Sequence, residues 1–140
     1  MKRVDADVSY CGASGRLIYR GATAATDYWD LHWREVLSRG HIEKGNRFVV
    51  SETKKKIPMG GTVLDAGCGL AQTVYGLQCA GFVAHGIDFA PHTVRMVNKL
   101  APELAVDVAD VRKLPFNDSY FDAVWSLGVI EHFPEGFDDV

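Results

Sequence analysis

The sequence predicts an α/β fold built on a doubly wound parallel sheet, and two features of its 140 residues support this. From residue 62 onward, short apolar runs typical of buried strands alternate with segments that have the apolar spacing of helices. One strand joins its helix through a turn that holds two glycines spaced by a single residue. Such alternation favours parallel strands with helices packed on both faces of the sheet.

The sheet elements follow one another in chain order. Strands are expected at residues 62–65, 82–87, 104–108 and 120–127, with helices at residues 70–80 and 91–100. Gly81 marks the end of the first of these helices, and Pro91 stands at a first-turn position that a helix tolerates.

Two further helices are predicted ahead of the sheet. One begins at Thr26 as its cap and ends at Gly40, and the other spans about residues 46–56. Residues 1–25 are interpreted as a polar arm punctuated by glycines, with a short apolar island near its end.

Composition and charge restrict the class of function. Hydrophobic residues make up 47% of the chain, and the formal net charge is −3 with both signs mixed along the sequence. This balance favours a globular domain and offers no basic surface for nucleic acid; the one basic run, at residues 54–56, fits the solvated end of a helix. No apolar run is long enough to cross a bilayer, and the first residues lack the apolar core of a signal peptide.

The cysteine and histidine patterns point to neither disulfides nor metals. The three cysteines are odd in number and lack CxxC spacing, which favours reduced thiols in a cytoplasmic protein. His85 and His92 have no partner at metal-ligand spacing, so no metal site is expected.

Each of the first three sheet strands carries an aspartate at or just beyond its C-terminal end, namely Asp65, Asp88 and Asp110. In an open parallel sheet these ends lie side by side at the edge where ligands bind. The turn at Gly67 and Gly69 brings bare backbone and the positive end of a helix to that edge. A carboxylate beyond the second strand can accept hydrogen bonds from both hydroxyls of a ribose. A single such aspartate is often a turn former, but three beside a glycine turn favour a site for a nucleotide-type cofactor.

These motifs together resemble those of class I S-adenosylmethionine-dependent methyltransferases. VLDAGCGLA at residues 63–71 is similar to the first motif of that family, and GIDFA at residues 86–90 to its acidic motif after the second strand. DVRKLPF at residues 110–116, with YFDAVW at residues 120–125, resembles the adenine-binding loop and the fourth strand. LGVIEHF at residues 127–133 resembles the start of the next helix in the small-molecule branch of the family.

The resemblance covers about residues 46–135 and implies a Rossmann-like fold that binds S-adenosyl-L-methionine, with S-adenosyl-L-homocysteine as product. It also implies the residues that touch each part of the cofactor. Those at the methionine end are Asp65, Gly67 and Gly69; at the ribose, Asp88; at the adenine, Phe89, Asp110 and the backbone of Val111; near the sulfonium, Leu127 and Gly128.

Two positions depart from related motifs. Ala71 stands where the family often has a third glycine, and its added methyl group is expected to do little harm. Gln72 stands where a dinucleotide-binding fingerprint requires glycine, which argues against a nicotinamide cofactor.

The length of the chain predicts a partial sheet. The family fold has seven strands, ordered 3-2-1-4-5-7-6, whereas the sequence up to Val140 provides four, in the order 3-2-1-4. We therefore expect a Rossmann-like sheet truncated after its fourth strand, with N-terminal helices. Residues 1–45 form an N-terminal arm and cap helix, and residues 46–140 a partial S-adenosylmethionine-binding domain. The fourth strand is then an apolar edge, which favours a homodimer or an exchanged strand.

The expected reaction is transfer of a methyl group to an acceptor, for which a small molecule is the default. A general base is optional because the sulfonium methyl is already a strong electrophile. His132 and Glu131 are the candidates, with a surface or helix-capping role as the alternative. A non-catalytic module that binds a partner and a nicotinamide-dependent enzyme stay open as other functions. The aromatic residues Tyr28, Trp29 and Trp33 either pack on the sheet or cover the methyl-donor pocket.

Overall fold

The computed structural model describes residues 7–12, 15–20 and 26–132. Its first elements are two strands, β1 (Asp7–Cys11) and β2 (Arg16–Arg20), which pair antiparallel as a separate hairpin. The sequence analysis, which interpreted residues 1–25 as a polar arm, did not predict this hairpin. Short strands separated by a few residues gain their stability from pairing across the turn, and that pairing leaves little local signal in a polar segment.

Three helices follow the hairpin: α1 (Thr26–Arg34), α2 (Arg39–Ile42) and α3 (Arg47–Lys56). The single helix predicted to begin at a Thr26 cap and end at Gly40 was wrong, since Thr26 is the first helical residue of α1 and Gly40 lies inside α2. The break comes earlier because Ser38 caps α2, its hydroxyl accepting a hydrogen bond from the backbone N–H of His41 at 3.3 Å.

The predicted parallel sheet is confirmed. It contains β3 (Thr62–Ala66), β4 (Val83–Asp88), β5 (Ala105–Val108) and β6 (Ala123–Trp125), with α4 (Gln72–Cys79) after β3 and α5 (Pro91–Leu100) after β4. The spatial order β5-β4-β3-β6 is the expected 3-2-1-4 order of the sheet strands. The last strand has three residues and is much shorter than predicted; a 3₁₀ turn follows it at Ile130–His132.

Helices cover one face of this sheet. Buried residues of α3, α4 and α5 pack with the strand residues Val63, Ala84 and Val106 in the main core. The opposite face is smaller: it buries Leu64, Ala66 and Ile87 beneath loop residues from the segment 109–121.

The one-sided arrangement follows from the strand order. Both crossovers, β3 to β4 and β4 to β5, move in the same direction across the sheet, and right-handed crossovers then place their helices on the same face. The chain reverses direction to reach β6, but the connection from β5 to β6 is a loop among the described residues. The expectation of helices on both faces is therefore met on only one face of this part of the chain. Nowhere in the described ranges does a helix have the length and apolar content needed to cross a membrane.

Candidate functional site

The glycine turn lies between β3 and α4 at the C-terminal edge of the sheet. The backbone N–H groups of Gly67 and Cys68 both donate to the carbonyl oxygen of Ile87, each at 2.8 Å, which fastens the turn to the end of β4. Gly67 and Gly69 have φ values of +91° and +47°, a region that side-chain-bearing residues rarely adopt. Ala71 also has a positive φ, of 56°, so the position of the missing third glycine carries some backbone strain.

Asp88, the last residue of β4, lies directly against this turn. Its Oδ2 accepts from the backbone N–H of Gly69 at 2.9 Å, and its Oδ1 accepts from that of Ala90 at 3.0 Å. Only 7% of the residue is exposed. Burial raises the pKa of Asp88, an effect that hydrogen bonds from the backbone of Ala90, Gly69 and Phe89 partly oppose.

Asp65, in β3, is the second buried acid of the edge, with 4% of the residue exposed. Burial raises its pKa to about 7; a hydrogen bond with Thr73 works against this shift, and the charge of Asp88 adds to it. The charge of Asp88 thus reaches Asp65, as expected for two acids at one edge of the sheet. A carboxyl group that titrates near neutral pH and sits beside a glycine turn is typical of a binding site.

Asp110 lies two residues beyond β5, at the same edge of the sheet but in a different environment. Arg112 engages it through both its guanidinium, at 2.6 Å between Nη2 and Oδ2, and its backbone N–H, at 2.9 Å from Oδ1. These hydrogen bonds lower the pKa of Asp110, so its carboxylate is ionised and held by a neighbour. The sequence analysis did not predict this pairing. Val111, the next residue, packs against the smaller core rather than standing free.

The remaining predicted site residues lie on exposed segments around the turn. Phe89 follows Asp88 and is just over a third exposed, while Leu127 and Gly128 follow β6. The imidazole of His132 contacts the indole of Trp29 edge-on, with 4.9 Å between ring centroids. Glu131 is exposed on the same 3₁₀ turn.

Two residues that the sequence analysis did not select also touch this edge. Val129 covers Gly67 so closely that a Cβ atom built on the glycine would collide with its Cγ2. Asp30, on α1, accepts hydrogen bonds from the first turn of α5. The sequence did hold a sign that α5 is capped from elsewhere in the chain, because neither Ala90 nor Pro91 has a side chain that can cap the helix. It did not identify Asp30 as the capping residue. No pattern in the sequence around Val129 indicated that this residue would pack on Gly67.

The chain belongs to the methyltransferase domain family. The family described as "Methyltransferase domain" matches residues 64–139, more than half of the chain. The matched segment starts in β3 and includes Asp65, the glycine turn, Asp88 and Asp110. It therefore contains every residue that the resemblance assigned to the cofactor.

Individual relatives agree with this family. The 27-O-demethylrifamycin SV methyltransferase of Amycolatopsis mediterranei is 28% identical over 134 residues, covering 84% of this chain and 49% of the relative. The probable chloroplastic tocopherol O-methyltransferase of Oryza sativa subsp. japonica is 34% identical over 139 residues, covering 76% and 36%. The chain thus spans about half, or less, of the length of these curated relatives.

A solved structure shows the same fold. The TehB-like SAM-dependent methyltransferase from Corynebacterium glutamicum superposes with a TM-score of 0.53 at 24% identity, covering 74% of this chain and 54% of that one. This likeness supports the Rossmann-like architecture of the sheet and its helices.

Proposed function

We propose that this chain forms the cofactor-binding part of an S-adenosylmethionine-dependent methyltransferase that acts on a small-molecule acceptor. The observation that carries the proposal is the hydrogen bond from Gly69 to Asp88, since it joins the glycine turn to the buried acid at the end of β4. Family membership supports the same reaction class.

The residues at this edge suit such a cofactor. Both carboxylate oxygens of Asp88 accept backbone N–H groups, and an ionised carboxylate offers about four acceptor positions in all. The backbone donors leave part of this acceptor capacity for a ribose hydroxyl. Gly67 and Gly69 present backbone without side chains, and Asp65 supplies a carboxylate that a cationic amino group would stabilise in its ionised form.

The bound cofactor supplies an electrophilic methyl group, and the protein supplies position and exclusion of water. Asp88 would hold the ribose, Asp65 with the Gly67–Gly69 turn the methionine end, and Phe89 with the Val111 backbone the adenine. For Asp110, a role at the adenine requires that it share its carboxylate with Arg112. Leu127 and Gly128 would border the reacting methyl group. His132 and Glu131 stay candidate bases, since both stand on the turn that follows β6.

The names of the relatives support a small-molecule acceptor. One relative is named for a rifamycin precursor and another for tocopherol, and both of these are organic molecules of modest size.

We also propose, from the cysteine pattern, that the protein is cytoplasmic, and that residues 1–45 serve as an arm and cap on the domain formed by residues 46–140. The exposed β6, where Val124 is 56% exposed, supports the proposal of a homodimer or an exchanged strand. Sedimentation analysis that shows a monomer across a concentration series would remove this last proposal.

Calorimetric titration tests the proposed function. The wild-type chain is expected to bind S-adenosylhomocysteine and not NAD. Asp88→Ala should weaken S-adenosylhomocysteine binding by about tenfold or more, because it removes a charged hydrogen-bond partner. Asp118→Ala is the matched control, because it removes an exposed aspartate in the loop before β6. Failure of the folded wild-type chain to bind S-adenosylhomocysteine would overturn the proposal and favour a partner-binding module. Binding of NAD alone would favour the nicotinamide alternative.

A further inference from the structure

The helix that follows Asp88 is capped from outside its own sequence. At the start of α5, Ala90 offers no capping side chain and Pro91 has no N–H to donate. The next two backbone N–H groups, of His92 and Thr93, donate to Asp30 of α1, at 3.3 Å to Oδ2 and 2.7 Å to Oδ1. The hydroxyl of Thr93 donates to the same Oδ1 at 2.9 Å. One carboxylate thus satisfies three donors of an element that lies more than 60 residues further along the chain.

The same helix end also holds the acid assigned to the ribose. The N–H of Ala90 donates to Asp88, and the charge of Asp30 contributes, after burial, to the raised pKa of Asp88. Two carboxylates from different elements therefore share the positive end of α5. Displacing Asp30 would change the surroundings of Asp88 without touching it directly.

Two further contacts place α1 along this edge. The indole of Trp33 covers the glycine turn, since a Cβ atom built on Gly69 would lie 3.0 Å from Cζ2 of the indole. Trp29 meets the imidazole of His132 on the turn after β6. Together with Asp30, these residues join α1 to three segments that border the proposed cofactor site.

We propose that Asp30 is a positioning residue that fastens α1 over the cofactor edge, so that release of its cap on α5 opens the site. This inference rests on the proposed function for the identity of the ligand. Its structural half, the attachment of α1 to α5 through one carboxylate, stands on the hydrogen bonds alone. Asp30 touches no reacting atom; it acts by holding α1 and the first turn of α5 together.

The attachment is testable without any ligand. In Asp30→Ala, amide hydrogen exchange at His92 and Thr93 should accelerate by about fivefold or more, the factor that corresponds to loss of a helix cap. Acrylamide quenching, measured in a Trp125→Phe background so that only the two indoles of α1 report, should increase in the same variant. Asp27→Ala is the control, because it removes an exposed aspartate from the same helix. Equal exchange and quenching in the two variants would overturn the proposal.

The effect on the site is read from ligand kinetics. Stopped-flow dissociation of S-adenosylhomocysteine should be about fivefold faster in Asp30→Ala than in wild type. Asp30→Asn, which keeps an acceptor for the N–H of Thr93, should recover part of the slow dissociation. If dissociation is unchanged while exchange at Thr93 is faster, Asp30 caps α5 but has no role in the site, and the proposal that it holds the site closed is refuted. If the wild type binds no S-adenosylhomocysteine, the proposed function fails, and the ligand-free measurements still decide the attachment.

Discussion

The carboxylate of Asp88 accepts a hydrogen bond from the backbone N–H of Gly69, with 2.9 Å between Oδ2 and the nitrogen. This contact joins the end of β4 to the turn that follows β3, although the two residues belong to separate motifs in the sequence. Gly69 donates from a backbone with a φ of +47°, and the indole of Trp33 lies where a side chain on this residue would stand. Substitution of either residue should therefore weaken this hydrogen bond. The stability of this edge of the sheet also depends on whether its carboxyl groups are ionised.

Burial of Asp65 should make the protein less stable as the pH rises. Burial raises its pKa to about 7 in the folded state, from an ordinary value of 3.8, so the folded chain binds more protons than the unfolded chain between these values. Stability from this group is highest below about pH 4, falls through the window, and is lowest above about pH 7. Asp65→Asn removes the penalty and should raise the free energy of unfolding at about pH 8 by roughly 1–4 kcal/mol.

Urea unfolding of both proteins at about pH 5 and about pH 8 checks this. The gain should shrink at the lower pH. Asp122→Asn serves as a control of opposite sign, because hydrogen bonds from Thr62 lower the pKa of Asp122 and its ionised form is the favoured one. That variant should lose stability at the higher pH. An Asp65→Asn protein that is less stable than wild type at the higher pH would contradict the prediction.

The same ionisation should couple cofactor binding to pH. A ligand with a cationic amino group prefers the ionised form of Asp65, which is the minor form below the pKa of about 7. The affinity for S-adenosylhomocysteine should therefore rise by about tenfold between about pH 6 and about pH 8, with release of a proton on binding. Titrations in two buffers of different ionisation enthalpy measure that proton. Asp65→Asn should bind more weakly and lose most of the pH dependence; a wild-type affinity that does not change with pH would argue against Asp65 at the amino group.

The parts of the fold that the sequence predicted well are those with local signals. The bounds of α5 came out as predicted, because Pro91 and the apolar spacing of Val94 and Val97 lie within one element. The alternation of strands and helices predicted that the strands are parallel, and the resemblance to the family implied their order. The position of Asp65 and Asp88 at one edge followed from the same alternation, since parallel strands end together.

What the sequence did not predict depends on contacts between distant segments. Asp30 and Thr93 are far apart in the chain, and only the packing of α1 on α5 brings them together. The pairing of Asp110 with Arg112 competes with any ligand, and a side chain two residues away can equally point elsewhere. The hairpin of β1 and β2 depends on pairing between two strands that each look irregular alone.

Gly67→Ala should destabilise the protein and the site together. Gly67 has a φ of +91°, and an added Cβ would collide with Val129. We expect a loss of roughly 2–3 kcal/mol, from backbone strain and overpacking, and a matching loss of S-adenosylhomocysteine binding. Val129→Ala in the same chain should recover the share due to the collision but not the share due to φ. Gly40→Ala is the control, since a Cβ there meets nothing within 4 Å and the residue is helical. Equal thermal unfolding midpoints for Gly67→Ala and Gly40→Ala would refute the prediction.

Trp33→Ala distinguishes a cover over the cofactor from ordinary packing. The indole of Trp33 lies on Gly69 and stacks near Trp29, with 6.3 Å between ring centroids, yet the residue is only half-buried. As a cover, its removal should weaken S-adenosylhomocysteine binding by about tenfold while lowering the free energy of unfolding by about 1 kcal/mol. Leu37→Ala is the matched comparison, because Leu37 packs against the main core and should cost stability with little effect on binding. Calorimetric titration gives the affinity of each variant for S-adenosylhomocysteine, and urea unfolding gives its free energy of unfolding. A Trp33→Ala protein that loses stability as Leu37→Ala does and binds as tightly as wild type would assign the indole to packing alone.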